Sequence, residues 1–172
     1  MTEEKIKKIE LLLLDVDGVL TNEAIIYNDD GKEIKAFNVK DGLGLRLLMN
    51  AGIKTGIVTG RRSNALSCRL RNLGVTLVYD GVSEKGPLLP TIVRDTGVSP
   101  ENMAFIGDDL PDIPLLKRVG LPIAVGNAHE LVIEICEIVT EKRGGEGAVR
   151  EVCERILKTK GLWERSIHGF VS

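Results

Sequence analysis

Asp15 and Asp17 stand one residue apart at the end of the apolar run LLLL, residues 11–14. Two carboxylates placed so closely repel each other unless a positive charge lies between them. Three later stretches end in polar residues that can share work with this pair. GIVTGRR ends in Thr59, Gly60 and Arg61; GVSEK delivers Lys85; AFIGDDLPD ends in Asp108 and Asp109, with Asp112 on the following turn. Acids, a hydroxyl, a backbone amide and a lysine suit the cleavage of a phosphate ester. A phosphate dianion about 4 Å from a carboxylate costs about 8 kcal/mol at an effective dielectric near 20. A Mg2+ ion held by Asp15 and Asp108 would offset most of that, since magnesium takes hard oxygen ligands, typically one or two carboxylates plus water and substrate phosphate. Lys85 adds further positive charge, and the Thr59 hydroxyl and Gly60 amide can donate hydrogen bonds to phosphoryl oxygens where charge gathers. Asp15 can then attack phosphorus to give an aspartyl phosphate. Asp17 can protonate the leaving alkoxide and later deprotonate the water that frees the enzyme.

Each piece alone has a plainer meaning. Asp-Gly marks turns, Thr-Gly is common N-cap chemistry, and a single lysine is usually a surface residue. Asp108, Asp109 and Asp112 suit the start of a helix, and Asp109 is expected to act there as a cap. Their succession at one strand end after another favours the chemical reading.

The elements that must position these residues are a set of short apolar strands. Leu11 to Leu14, Ile53 to Val58, Val75 to Val78, Met103 to Ile106, Ile123 to Val125 and Ile135 to Val139 read as strands, several apolar on consecutive positions, as parallel strands covered on both faces are. Helical patterns lie between them: Leu66, Leu70 and Leu73 share one face, as do Val149, Val152, Cys153, Ile156 and Leu157. The alternation implies an α/β fold with a doubly wound parallel sheet and right-handed crossovers. Such sheets bind ligands beyond the carboxyl ends of their strands, where the polar residues above fall. One stretch breaks the rhythm. Residues 24–38, AIIYNDDGKEIKAFN, carry an Asp-Asp-Gly turn between two strand-like runs and read as a β-hairpin. Pro87 and Pro90 place the start of the helix after Lys85 at or beyond Pro87, so Lys85 must act from a loop or a helix N-terminus.

With 172 residues and 43% hydrophobic composition the chain suits one domain, expected over 1–160, followed by a tail over 161–172 with no clear period. A net charge of −2 and a pI near 5.8 give no basic field to hold a nucleic acid backbone. Cys68, Cys136 and Cys153 form no CxxC pair or metal-ligand spacing and read as thiols of a reducing cytosol. The segment MTEEKIKKIE has no signal-peptide apolar run, and no stretch approaches a membrane span, so a cytoplasmic location with no membrane partner is expected.

In their order along the chain, DVDGVLT, VTGR, the lysine of GVSEK and GDDLPD resemble the four motifs of the haloacid dehalogenase superfamily of phosphohydrolases, over about residues 10–127. The resemblance implies a Rossmann-like fold and an aspartyl-phosphate mechanism. Asp15 would be the nucleophile and a magnesium ligand; Asp17 the acid/base, also binding magnesium through its main-chain carbonyl. Thr59 and Lys85 would hold the phosphate, and Asp108 would complete the metal site with support from Asp112. The hairpin followed by FNVKDGLGLRLL, and the later RGGEGAVREV (143–152), are similar to one branch of the superfamily that acts on an eight-carbon sugar acid phosphate in lipopolysaccharide precursor synthesis. A nine-carbon keto-sugar acid phosphate is the nearest alternative substrate. A substrate of this kind carries a carboxylate, for which Arg61 is the candidate cation.

No insertion is large enough for a separate cap domain. The hairpin's Ile25, Ile26, Tyr27 and Phe37 would make a poor solvated ribbon, so hairpins of several subunits are expected to pair, each subunit capping a neighbour. The resemblance implies a homotetramer of that kind. Gly144, Gly145 and Gly147 either let backbone approach a ligand from a neighbouring subunit or make a tight strand-to-helix turn. His129 and His168 have no spacing that links them to a nucleophile or a metal. Two other classes are weighed. A phospho-receiver domain uses similar residues, but there the paired acids precede a separate phosphoacceptor and the lysine comes last. A non-catalytic regulatory or oligomerisation module, related to cytidylyltransferase-fused domains, would not need the full set of Asp15, Asp17, Thr59, Lys85 and Asp108.

Overall fold

The four leucines of residues 11–14 form the strand β1 (Leu11–Leu14) at the heart of a six-stranded parallel sheet. Leu12 and Leu14 enter the core on one face of the sheet, Leu11 and Leu13 the core on the other, so a run with no polar alternation is what two covered faces require. Full burial of each leucine contributes roughly 1.5–3 kcal/mol.

The computed structural model describes residues 2–171. A helix, α1 (Thr2–Lys8), precedes β1; the sequence reading passed over it, although Glu3 and Glu4 in its first turn and Lys7 and Lys8 in its last suit the helix dipole, and it is held by the single fully buried side chain of Ile6. After β1 come the hairpin strands β2 (Ile26–Tyr27) and β3 (Glu33–Ile34), then α2 (Val39–Asn50), β4 (Lys54–Val58), α3 (Asn64–Leu73) and β5 (Leu77–Tyr79). The second half runs α4 (Leu89–Thr96), β6 (Met103–Gly107), α5 (Ile113–Leu116), β7 (Leu121–Ala124), α6 (Glu130–Ile135), β8 (Ile138–Val139), α7 (Ala148–Thr159) and α8 (Trp163–Val171). The sheet order is β5-β4-β1-β6-β7-β8, every pairing parallel. The chain winds outward from β1 through β4 to β5, then returns to the other side of β1 with β6. The reversal leaves a crevice at the carboxyl ends of β1 and β6. Helices α1, α2, α3 and α7 supply one core, and α4, α5 and α6 the other. No separate cap domain is present among the described residues; β2 and β3 pair only with each other.

Several strand boundaries differ from the sequence reading. β5 lies two residues later than expected, because Val75 packs into the core ahead of the strand. β7 begins at Leu121, two residues early: Pro122 has no N–H to donate and weakens the strand signal, yet its carbonyl accepts from Glu137 N–H at 3.0 Å. The expected strand over 135–139 shrinks to Ile138–Val139, since Ile135 closes α6 instead. The tail also differs from its aperiodic reading. It forms α8, with Leu162, Trp163 and Ile167 packed against the core and Trp163 over the cations of Arg150 and Lys158.

Candidate active site

Asp15 follows β1 directly, and its N–H donates to Ile106 O at 3.0 Å, which fastens the residue to the neighbouring strand β6. Asp108 follows β6, so adjacency of the two strands brings the two acids together. Asp112 joins them from a short 3-10 turn, Leu110–Asp112. One carboxylate oxygen from each of Asp15, Asp108 and Asp112 lies within 4.8 Å of the others, and all three residues are buried. Gly18 makes this packing possible: it has φ +93, and a Cβ there would stand 1.9 Å from Asp108 Oδ2.

Lys85 is placed by the break in helix geometry that the prolines impose. A 3-10 turn, Gly86–Leu88, separates it from α4, and the buried ammonium points back into the acids. Its Nζ lies 2.7 Å from Asp15 Oδ1 and 2.5 Å from Asp112 Oδ1. Asp112 also accepts from Asp108 N–H at 2.9 Å and Asp109 N–H at 3.3 Å, which makes it the knot of the cluster. Asp109 is the turn's N-cap, its side chain accepting from Leu110 N–H at 2.8 Å. Thr59 follows β4, is buried, and is tied through its backbone to Tyr79 and Val82. Thr59, Gly60, Arg61 and Lys85 line a cavity of about 280 Å3 with Asp15 and Asp17. A second cavity of about 430 Å3 adjoins it across Asp17 and is lined by Asp108, Asp109, Glu23, Asn127 and His129.

The cluster's electrostatics call for a cation. Burial, then the charges of Asp15 and Asp112, push the Asp108 carboxyl up to about 9. Burial likewise pushes Asp15 up to about 6, opposed by Lys85. For Lys85 burial disfavours the ammonium, but the charges of Asp15 and Asp112 outweigh it and raise its pKa. Three acids therefore share one lysine, and Asp108 Oδ1 is buried with no hydrogen-bond partner among the described residues. A hard divalent ion fits this donor set, since it would satisfy the orphaned oxygen and favour the ionised carboxylates. The Asp17 side chain stands outside the three-acid group.

Asp17 is held from the hairpin instead, a contact the sequence reading missed. The buried Lys35 ammonium pairs with Asp17 and lies 3.1 Å from Glu33 Oε1. Arg61 pairs with Glu33, lies 3.9 Å from Asp17 Oδ2, and donates to the Tyr27 hydroxyl at 3.5 Å. Arg61 is thus at the cavity but already carries a protein carboxylate. The signal available was the spacing of Glu33 and Lys35, two apart in a run expected to be extended and hence on one face. His129 is not idle either: its N–H donates to Asp108 O at 2.7 Å, and its Nδ1 accepts from Leu131 N–H to cap α6. The glycines of 143–147 approach backbone, but that of this same chain. A Cβ at Gly144 would stand 1.6 Å from Gly18 O, and Gly145 N–H donates to Val19 O at 2.9 Å.

Comparison with known proteins bears on this arrangement. A haloacid dehalogenase-like hydrolase family model matches residues 78–152. The 3-deoxy-D-manno-octulosonate 8-phosphate phosphatase of Escherichia coli K12 is 43% identical over 157 residues, covering 91% of this chain and 84% of that protein. A crystal structure of the phosphatase of the same name from Yersinia pestis superposes with a TM-score of 0.92 at 42% identity, over 95% of this chain and 88% of that one. A Moraxella catarrhalis phosphatase of that name, crystallised with magnesium, phosphate and the KDO molecule, gives a TM-score of 0.95 at 41% identity, over 98% and 97% of the two chains.

Proposed function

The chain belongs to the haloacid dehalogenase-like hydrolases, and from that footing we propose that it is a magnesium-dependent phosphatase hydrolysing 3-deoxy-D-manno-octulosonate 8-phosphate to the free sugar acid and phosphate. The observation that carries the reading is the meeting of Asp15, Asp108 and Lys85 at the carboxyl ends of two neighbouring strands. Asp15 and Asp108, with the Asp17 main-chain carbonyl, would hold magnesium, which would supply positive charge that lets a phosphate dianion approach carboxylates. Lys85, the Thr59 hydroxyl and the Gly60 amide bind the phosphoryl oxygens. Asp15 attacks phosphorus as the sugar alkoxide leaves; Asp17 protonates that alkoxide. Asp17 then takes a proton from the water that attacks the aspartyl phosphate and releases Asp15. Asp109 and Asp112 act in support by shaping the turn and orienting Lys85. Arg61 is the cation we assign to the substrate carboxylate, sharing its guanidinium with Glu33.

The test is phosphate release. Chelation of divalent ions should abolish it and added Mg2+ restore it. The kcat/KM for the eight-carbon ester should exceed that for a nine-carbon keto-sugar acid phosphate by about tenfold or more, the scale on which pocket contacts discriminate. No magnesium-dependent release would end the enzyme reading; preference for the nine-carbon ester would end the substrate assignment.

We read residues 1–160 as the catalytic unit, with 161–172 added as the α8 tail, and place the protein in the cytoplasm, a setting that suits free Cys68, Cys136 and Cys153. Among the described residues no helix is long and apolar enough to cross a membrane. The assembly we infer is a homotetramer in which hairpins pair across subunits. The support is the exposure of Ile25, Ile26, Tyr27 and Ile34 on a two-stranded ribbon that is marginal alone. Sedimentation equilibrium should give four chains per particle, and an active monomer at assay concentration would refute the arrangement.

A further inference from the structure

Asp41 sits in the first turn of α2, is only 1% exposed, and has no part in the reaction described above. Its Oδ1 accepts from Arg150 N–H at 2.7 Å, in the first turn of α7, 109 residues further along the chain. The residue that opens α7 is Gly147, which has no side chain with which to cap it. Asp41 therefore provides from α2 the cap that α7 lacks. The helices come close enough for this because of Gly44, where a Cβ would stand 3.1 Å from Arg150 Cα. Burial raises the Asp41 pKa, and the amides of Arg150 and Gly147 oppose the rise.

The same end of α2 grips the segment before α7 a second time. Asn38 Nδ2 donates to Gly145 O at 3.2 Å. That segment lies directly behind the loop that carries Asp17: a Cβ at Gly145 would stand 2.5 Å from the carbonyl carbon of Thr21, as one at Gly144 would strike Gly18 O. Backbone touches backbone there with no side chain between to absorb a shift. The Gly144 N–H also donates to Asn127 Oδ1 at 2.8 Å, fixing the segment's far side.

We propose that Asp41 is a positioning residue: by capping α7 it sets the glycine segment 143–147 against residues 18–21, and so sets the aim of Asp17 at the leaving-group oxygen. The inference rests on the phosphatase reading and on the acid role of Asp17, though not on which sugar is the substrate. A misaimed acid has a specific kinetic signature. Alkoxide leaving groups need the proton, whereas p-nitrophenolate leaves without it. A merely structural residue would lower both substrates alike, or lower only the melting temperature.

The experiment compares kcat/KM for an alkyl phosphate monoester and for p-nitrophenyl phosphate in the full-length magnesium-loaded protein. Asp41→Ala is expected to lower the alkyl value about tenfold, a fraction of the 10²–10⁴ that general acid catalysis contributes, and the aryl value by less than about threefold. Asp41→Asn keeps an oxygen for the Arg150 amide and should recover most of the loss. Asn38→Ala, which removes the Gly145 contact together with the α2 cap that Asn38 Oδ1 provides to the Lys40 and Asp41 amides but leaves the Asp41 carboxylate in place, should show the same selectivity with smaller size and serves if Asp41→Ala does not fold. Equal losses on both substrates, or no loss in either variant, would overturn the inference. A wild-type protein that released phosphate from neither ester would instead overturn the phosphatase reading beneath it.

Discussion

Asp15→Asn is expected to abolish phosphate release while leaving the protein folded. An amide oxygen is a poor nucleophile for phosphorus, and no other carboxylate of the three-acid cluster stands at the end of β1 facing Thr59 and Lys85 across the cavity. Loss of a nucleophile costs on the order of 10⁵-fold or more in kcat. Stability should move the other way or not at all. The substitution removes one of three buried acids sharing a single lysine, and Lys85 keeps its 2.5 Å partner Asp112. The new amide side chain retains an oxygen for the Lys85 ammonium, so no buried donor is stranded. Phosphate release with thermal unfolding in parallel checks both halves. Activity above a few per cent of the parent would mean that another group attacks; a fall of several degrees in Tm would mean that Asp15 is structural.

The second large effect is at Asp17. Its carboxylate pairs with Lys35 and lies near Arg61, outside the three-acid group, so the proton role we assign to it is separate from the metal-holding role of that group. Asp17→Asn should therefore leave phosphate binding intact and lower kcat/KM for an alkyl ester by about 10²–10⁴-fold, with a much smaller effect on p-nitrophenyl phosphate. With the base also gone, water attack on the phosphorylated Asp15 slows, and the covalent phosphate should accumulate on the aryl substrate. Rapid acid quench with mass measurement of the intact protein reads this directly. Unchanged turnover on the alkyl ester would remove Asp17 from the chemistry.

How much of this was written in the chain follows from sequence distance. Asp15, Thr59 and Asp108 each directly follow a local apolar run, and the sheet topology brings those ends together; Asp17, Lys85 and Asp112 lie in the turns just beyond such runs. The consecutive leucines of β1 likewise announced two covered faces. What stayed hidden are contacts whose partners carry no local mark. Asn38 meets Gly145 across 107 residues and Asp41 meets Arg150 across 109, and neither pairing has a periodic or motif signature. Lys35 reaches Asp17 across 18 residues because the hairpin folds back over the site, a tertiary fact no propensity records. The tail misled for another reason. Trp163, Ile167, Phe170 and Val171 stand at helical spacing, a signal the aperiodic reading passed over because it spans barely two turns, and docking on α7 and α2 then fixes the helix.

Lys85, wedged between Asp15 and Asp112, gives the pocket a resident counterion that cannot diffuse away. A metalloprotein whose carboxylates had only the metal to answer them would loosen whenever cellular supply fell. Here scarcity should idle the catalyst rather than unravel it, leaving an intact reserve that resumes work as soon as ions return.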